Sequence, residues 1–215
     1  MNNLVNQNSI LTDIVLIDII NFSKLHSSQQ LEIITFLTKS YKKMIHKILH
    51  NSHLQIEEMI LGFVPTGDGF FCILHPRLKG YGSILGMSFN HFSEQIAQRY
   101  PYYQGIRIAV HTGDIYSFED IAGNGNFIGK GLNDCARYLE FKSYSISTVV
   151  VSDTAYEYFK FFLHANHYYS ELLNKMEFKH SEFHSFVDKH AQEKKCCLVW
   201  LRKAGIINLP KISFT

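Results

Sequence analysis

The chain is short of charge. Asp, Glu, Lys and Arg make up 19% of its 215 residues, and the formal net charge is only +2. That balance gives no long-range basic field to hold a nucleic-acid backbone, although local Lys and Arg side chains can still hold a small anion. Long apolar runs are missing as well. No stretch approaches the roughly 18 apolar residues of a membrane span. The opening MNNLVNQNSI has neither the basic flank nor the apolar run of a secretory leader. A cytoplasmic protein with no membrane partner is therefore expected. Cysteine is scarce: Cys72, Cys135, Cys196 and Cys197 match no zinc spacing, and adjacent Cys196 and Cys197 would make an awkward bridge. Reduced thiols are the simplest reading. The 12 histidines are scattered and read as surface or structural groups. There is no internal repeat, no linker and no low-complexity tract, so a single domain over residues 1–215 is expected.

What is present is enough for a full core, with 46% hydrophobic and 14% aromatic residues. Residues 13–20 (DIVLIDII) predict a strand buried on both faces and interrupted by a carboxylate. A turn follows at Asn21-Phe22-Ser23. Ser27 and Ser28 then offer caps to a long helix, whose apolar positions Leu31, Ile34, Leu37, Tyr41, Met44 or Ile45, and Ile48 keep helical spacing. A second strand is expected over about 54–64. Pro65-Thr66-Gly67-Asp68-Gly69 is a hairpin signal, with 70–74 as the returning strand. Further along, the pattern predicts a helix over 84–100 and a strand over 106–111 turned by Thr112-Gly113-Asp114. A polar loop at 124–126 and a helix over 128–141 follow. Then come a strand over 147–151, a helix over 154–163 and a last strand over 196–201, while 164–184 has no clear period. The order β-α-β-β-α-β-α-β predicts an α+β sheet with helices packed on one face, a ferredoxin-like palm.

Several side chains in this frame carry chemistry. A carboxylate inside an apolar strand is costly unless it is paired or binds a cation. Asp18, near a strand end, and Asp68, at a hairpin tip, meet that condition, and on neighbouring strands both would point at one spot. Paired carboxylates on a rigid sheet suit Mg²⁺ or Mn²⁺ that also holds phosphates. Taken alone, Asp68 also reads as a turn residue and Asp18 as a cap on the following turn. In the helix at 128–141, Leu132, Cys135 or Ala136, and Leu139 make the buried stripe. Asn133 and Arg137, four apart, share another face. An amide beside a guanidinium suits a sugar and a phosphate. A solvated polar face is the plainer alternative.

Together these segments resemble the catalytic domain of class III adenylyl and guanylyl cyclases. LIDIINFSKL is similar to their metal-binding strand and turn, and FVPTGDGFFCIL to their second-metal hairpin. IRIAVHTGDI resembles the strand-turn that precedes the catalytic helix. FIGKGLNDCARYLEF resembles that helix, and VVVSDTAYEYF the strand-helix after it. The resemblance runs in order over about residues 12–160, and KKCCLVWL matches the last strand weakly. It implies that Asp18 and Asp68, with the main-chain carbonyl of Ile19, hold two Mn²⁺ or Mg²⁺ ions. It implies that the amides of Ile20, Asn21, Phe22 and Ser23 cradle the β- and γ-phosphates of a nucleoside triphosphate. Asn133 would orient the ribose, Arg137 would stabilise charge on the α-phosphate, and Lys194 or Lys195 would be the triphosphate lysine. In that family the Asp pair and the Asn–Arg pair of one site come from different subunits. The resemblance therefore implies a head-to-tail homodimer with two equivalent sites.

Two departures bear on the base. Where purine cyclases carry a Lys or Glu, this chain has Val64, and the partner position is Asn126. A site without polar base contacts is not built for high purine fidelity. Soluble cyclases with altered base positions resemble the bacterial pyrimidine cyclases of antiphage defence, the Pycsar systems. That likeness implies cyclic UMP or cyclic CMP made for a separate effector, with UTP favoured by the family's general make-up. An ordinary adenylyl or guanylyl cyclase with unusual base contacts, and a cyclase-homology module that only dimerises or binds nucleotide, are the alternatives. The presence of Asp18, Asp68, Asn133 and Arg137 together speaks against the second.

Overall fold

A computed structural model describes residues 8–52, 55–141 and 148–202. Strand β1 (Ile10–Ile19) lies at the middle of the sheet because both of its faces are apolar. Val15, Ile17 and Ile19 point to one core, and Ile14 and Leu16 to another. This is the period-2 alternation of a strand sandwiched between layers. The other strands are β2 (Ile60–Pro65), β3 (Gly69–Leu74), β4 (Ile106–Glu119), β5 (Gly125–Ile128), β6 (Val149–Ser152), β7 (Phe178–His180), β8 (His184–Val187) and β9 (Glu193–Leu201). Their order is β2-β3-β1-β4-β6-β9-β7, with β5 paired to β4 and β8 to β9. The β4–β6 pair is parallel and the other pairs are antiparallel.

The helices are α1 (Ser27–Ser52), α2 (Ile56–Met59), α3 (Gly82–Arg99), α4 (Lys130–Tyr138), α5 (Asp153–Ala165) and α6 (His167–Lys175). Residues of α1, α3, α5 and α6 fill the first core, through Leu37, Leu85, Phe159 and Leu173 among others. Helix α4 lies on the opposite face, where Leu132 and Cys135 meet Ile14 and Ala109. The expected arrangement, all helices on one face, is thus corrected: α4 is on the other side. Among the described residues, no helix is long and apolar enough to cross a membrane. The four cysteines are buried and free.

Other expectations shift for local reasons. The buried stripe of α1 runs through Ile33, Leu37, Tyr41, Met44 and Ile45, whereas Leu31 is 65% exposed. Leu37, Tyr41, Met44 and Ile45 are thus buried as expected and Ile34 and Ile48 pack at the edge of the core, while Ile33 takes the place expected of Leu31. Its N-cap is His26, whose carbonyl accepts from the Gln30 amide and whose own amide donates to Gln29 Oε1. Ser27 is already the first helical residue. The second strand starts at Ile60, because Gln55 and Glu58 form a reciprocal capping box that makes 56–59 a helical turn. Leu54, where that strand was expected to begin, lies outside the described residues, as do Ser147, the expected start of the β6 strand, and residues 1–7, on which the leader expectation rests. Thr112-Gly113-Asp114 does not turn. Strand β4 continues through it, paired to β1 as far as Ile115 and then to β5. Gly113 is small for packing: a Cβ there would lie 2.8 Å from the Gly131 Cα of α4. The 128–141 helix is shorter, since Ile128 belongs to β5 and Gly129 (φ 148°) breaks the chain before Lys130.

Candidate active site

The site begins where β1 ends. Asp18 is the cross-strand neighbour of Gly69 on β3 and of Arg107 on β4. Strand β3 comes very close here, for a Cβ on Gly69 would sit 1.9 Å from the Ile17 carbonyl oxygen, so only glycine fits. The hairpin bearing Asp68 folds as expected, with Gly67 at φ 87° and the Thr66 amide donating to the Gly69 carbonyl at 3.0 Å. The Ile19 amide donates to the Asp68 carbonyl at 2.8 Å, which fastens the hairpin tip to the end of β1. Asp68 therefore stands next to Asp18.

Burial pushes the Asp18 carboxyl above the usual carboxylate range, and the charge of Asp68 pushes it further, against the hydrogen bond and charge of Arg107. Arg107 Nε donates to Asp18 Oδ2 at 2.7 Å, and its Nη2 pairs with the same oxygen. Neighbouring carboxylates are hard oxygen donors, the kind that Mg²⁺ or Mn²⁺ takes. Among the described residues no group of three or more His, Cys, Asp or Glu could hold a metal, so further oxygens would have to come from a ligand. The residues present thus fit ions shared with a phosphate. Sequence reasoning missed Arg107, although it is the sole charged residue in the apolar run IRIAVH.

The following turn is built for close contacts. Asn21 is left-handed (φ 55°), its side chain donates to Gln104 Oε1 at 2.7 Å, and a single 3-10 turn covers Phe22–Lys24. The Ile20 amide is already spent on the Gly105 carbonyl at 3.0 Å. Of the four expected phosphate donors, then, Ile20 is engaged within the fold. Among the described residues the amides of Asn21, Phe22 and Ser23 donate to no main-chain carbonyl.

The second group of expected residues lies elsewhere. Cys135, between Asn133 and Arg137 on α4, puts its Sγ near the carbonyls of Ile14 and Ala109. Ile14 is four residues from Asp18, or about 13 Å along an extended strand. Asn133 is exposed. Arg137 is held by Glu140, at 3.0 Å, and by His190, at 2.8 Å. Among the described residues, Arg137 is bonded to Glu140 and His190 and to neither Asp18 nor Asp68. The strands that carry Val64 and Asn126 touch, because the Phe127 ring of β5 packs over Gly62 of β2: a Cβ at Gly62 would lie 2.7 Å from it. Asn126 Oδ1 accepts from the Phe127 amide at 2.8 Å.

The two expected triphosphate lysines are placed differently. Lys194 is 9% exposed, and its ammonium bonds to Asp134 Oδ1 at 2.8 Å. Lys195 lies over the Phe183 ring at 5.2 Å. Neither approaches Asp18 or Arg137 as a partner. The lysine beside Arg137 is Lys189, whose amide donates to Glu140 Oε2 at 3.0 Å and whose Nζ is 3.9 Å from Glu140 Oε1. Lys189 precedes β9 in the β8–β9 turn, and its only signal in the sequence was the polar run DKHAQ.

A second buried carboxylate has another purpose. Asp13 Oδ2 accepts from the amides of Gly80 and Gly82, at 2.6 and 2.9 Å, and Oδ1 accepts from the Thr112 hydroxyl at 2.6 Å. It closes the start of α3 onto β1 and β4.

The sequence matches no protein-family model and no curated protein. Solved structures do match in fold. The catalytic core of a rhodopsin-guanylyl cyclase with converted specificity, in complex with ATPαS, aligns at TM-score 0.60 and 13% identity, over 93% of this chain and 100% of that one. The guanylate cyclase domain of RhGC from Catenaria anguillulae, in complex with GTP, gives TM-score 0.57 and 14% identity over 91% and 100%. A monomeric double mutant of the guanylyl cyclase domain of the RhoGC fusion protein from Blastocladiella emersonii gives 0.55 and 12% over 93% and 99%. The chain has the mixed-sheet α+β fold of class III nucleotidyl cyclase catalytic domains.

Proposed function

We propose that this chain is a nucleotide cyclase that closes a nucleoside triphosphate, preferentially UTP, to its 3′,5′-cyclic monophosphate and releases pyrophosphate. The observation that carries the reading is the hydrogen bond from the Ile19 amide to the Asp68 carbonyl, which sets Asp68 beside Asp18 at the end of β1, inside this fold. Asp18, Asp68 and the Ile19 carbonyl would hold two Mn²⁺ or Mg²⁺ ions. When bound, such ions neutralise phosphate charge and make the ribose 3′-hydroxyl more acidic.

The chain's own groups do the rest. The amides of Asn21, Phe22 and Ser23 bind the β- and γ-phosphates, and Lys189, in place of Lys194 or Lys195, adds a cation to them. Asn133 orients the ribose. Arg137 donates to the α-phosphate oxygens as charge builds there. The bond from the 3′-oxygen to the α-phosphorus forms, the bond to the bridging oxygen of pyrophosphate breaks, and the hydroxyl proton leaves to solvent. Asn133 and Arg137 stand on α4, whose Cys135 lies over Ile14, four residues back along β1 from Asp18, and Arg137 is held by Glu140 and His190; this supports a head-to-tail homodimer, with each site built from both subunits.

For the base, Val64 offers only apolar surface. Asn126 Oδ1 is engaged by the Phe127 amide, so its Nδ2 is the group left to donate. Facing position 4 of the base, that donor would meet the carbonyl of uracil and be opposed by the amino group of cytosine. With the resemblance to pyrimidine cyclases, this supports cyclic UMP as a second messenger in antiphage defence, acting on a separate effector. The test is to incubate the purified chain with Mn²⁺ and each of the four common NTPs and to identify products by mass. Cyclic UMP as the main product is expected. A preference for ATP or GTP would overturn the base assignment, and no cyclic product from any of them would overturn the enzyme.

A further inference from the structure

The guanidinium of Arg137 is held from behind. Nη1 donates to Glu140 Oε1 at 3.0 Å, and Nη2 lies 2.8 Å from His190 Nε2. Arginine has no acceptor, so it donates in both contacts and His190 Nε2 carries no proton. The remaining N–H groups of the fork stay available.

Both holding groups are themselves fixed. Glu140 follows Arg137 at the end of α4, its amide donating to the Arg137 carbonyl at 2.9 Å, and its Oε2 accepts the Lys189 amide at 3.0 Å. His190 belongs to a closed turn between β8 and β9. Asp188 Oδ1 accepts from the His190 and Gln192 amides, at 2.9 Å each, and the Asp188 amide donates to the Gln192 carbonyl at 3.0 Å. Ala191 takes a left-handed conformation (φ 56°) to complete the turn. The turn is thus pinned from within by Asp188 and to α4 by Glu140, and it delivers an imidazole to one edge of one arginine.

We propose that Glu140 and His190 are positioning residues for Arg137, fixing the guanidinium plane so that its free edge meets the α-phosphate. A long arginine side chain samples many rotamers, and ordering it during the reaction would add to the barrier. Donors fixed beforehand stabilise developing charge without reorganising. The planar fork lets two acceptors on one edge set the direction of the other. The inference rests on the cyclase reading above.

The experiment measures kcat and KM with Mn²⁺ and the preferred NTP for the full chain and for R137A, E140A, H190A and H190Q, with melting temperatures alongside. R137A should lower kcat by about 100-fold or more. H190A should lower kcat by about tenfold or more while KM stays within about twofold, and E140A should lower kcat as much while also raising KM, since Glu140 holds Lys189 as well. H190Q, whose amide oxygen can accept from Arg137, should recover to within about threefold of the parent. H190A and H190Q should melt alike. A merely structural turn would make the two equally inactive. If E140A does not fold, the His190 pair decides alone. Full kcat in E140A and H190A, with R137A inactive, would overturn the positioning role. R137A with undiminished turnover would instead overturn the cyclase reading.

Discussion

Replacing Asp13 should unfold the protein more readily than replacing Asp18, although both are acidic residues of the same strand. Asp13 is 1% exposed and takes hydrogen bonds from two main-chain amides and a hydroxyl. In Asp13→Ala the Thr112 hydroxyl can turn elsewhere, but the Gly80 and Gly82 amides lose their acceptor inside the fold. Each orphaned group costs about 1–3 kcal/mol. Part of this is offset, because Ala no longer has to bury a charge. A net loss of about 3 kcal/mol is expected, or roughly 6–12 °C in Tm for a chain of this size. Asp13→Asn should cost clearly less, since its Oδ1 can serve the two amides and its Nδ2 can donate to Thr112. Burial pushes the Asp13 carboxyl up to about 6, from an ordinary 3.8. The folded state therefore holds the proton more tightly, and stability from this group falls as pH rises between about 4 and 6, then levels off. The fall is about 3 kcal/mol in all. His111 acts in the opposite sense. Burial lowers it to about 4, so its contribution grows as pH rises through that window and beyond, up to the ordinary histidine value. The difference between wild type and Asp13→Asn cancels His111, and that difference should shift in favour of the variant from pH 4 to pH 7. Urea unfolding at the two pH values measures it. Equal stability of the Ala and Asn variants, or a difference that moves the other way with pH, would refute the reasoning.

Asp18→Ala and Asp68→Ala should abolish turnover with Mn²⁺ yet melt within a few degrees of wild type, because Arg107 is partly exposed and can rehydrate; near-normal activity in either would remove the metal-site reading. Inactive Asp68→Ala and Arg137→Ala chains, mixed and allowed to exchange, should regain activity, since one site of each heterodimer then holds both intact halves. No recovery despite exchange seen by mass would reject the shared site. Asn126→Ala should lower kcat/KM for UTP by about fivefold more than for ATP, the worth of one hydrogen bond of about 1 kcal/mol. An equal loss on every NTP would make Asn126 a loop residue only.

The sequence shows most where period and turn chemistry agree. The apolar β1, the β2–β3 hairpin and the polar face of α4 were all legible for that reason. It misleads where a residue type serves two purposes. Gly113 looks like a turn and is a contact point for α4, so β4 appeared shorter than it is. Asp13 and Asp18 look alike in DIVLIDII, and only their partners separate them: three protein donors for one, an arginine and a second carboxylate for the other. The lysines are harder to read for a different reason. Lys194 and Lys195 stand out as a pair, yet the strand turns one onto Asp134 and the other onto Phe183. Lys189 is placed by a turn that Asp188 closes, and such long-range geometry has no period to read. Glu140 was hidden in the same way, since its partner turn is 49 residues further along the chain.

The placing of Asp18 at the end of β1 and of Arg137 on α4, held there by Glu140 and His190, has a kinetic consequence. On the proposed reading, a lone chain carries two halves that do not match and is silent. At concentrations below the dimer dissociation constant, the rate would then grow with the square of the amount of protein, and dilution would switch the enzyme off without any inhibitor. A cell could hold such a protein ready at low copy number and gain a sharp response from a small rise in its abundance.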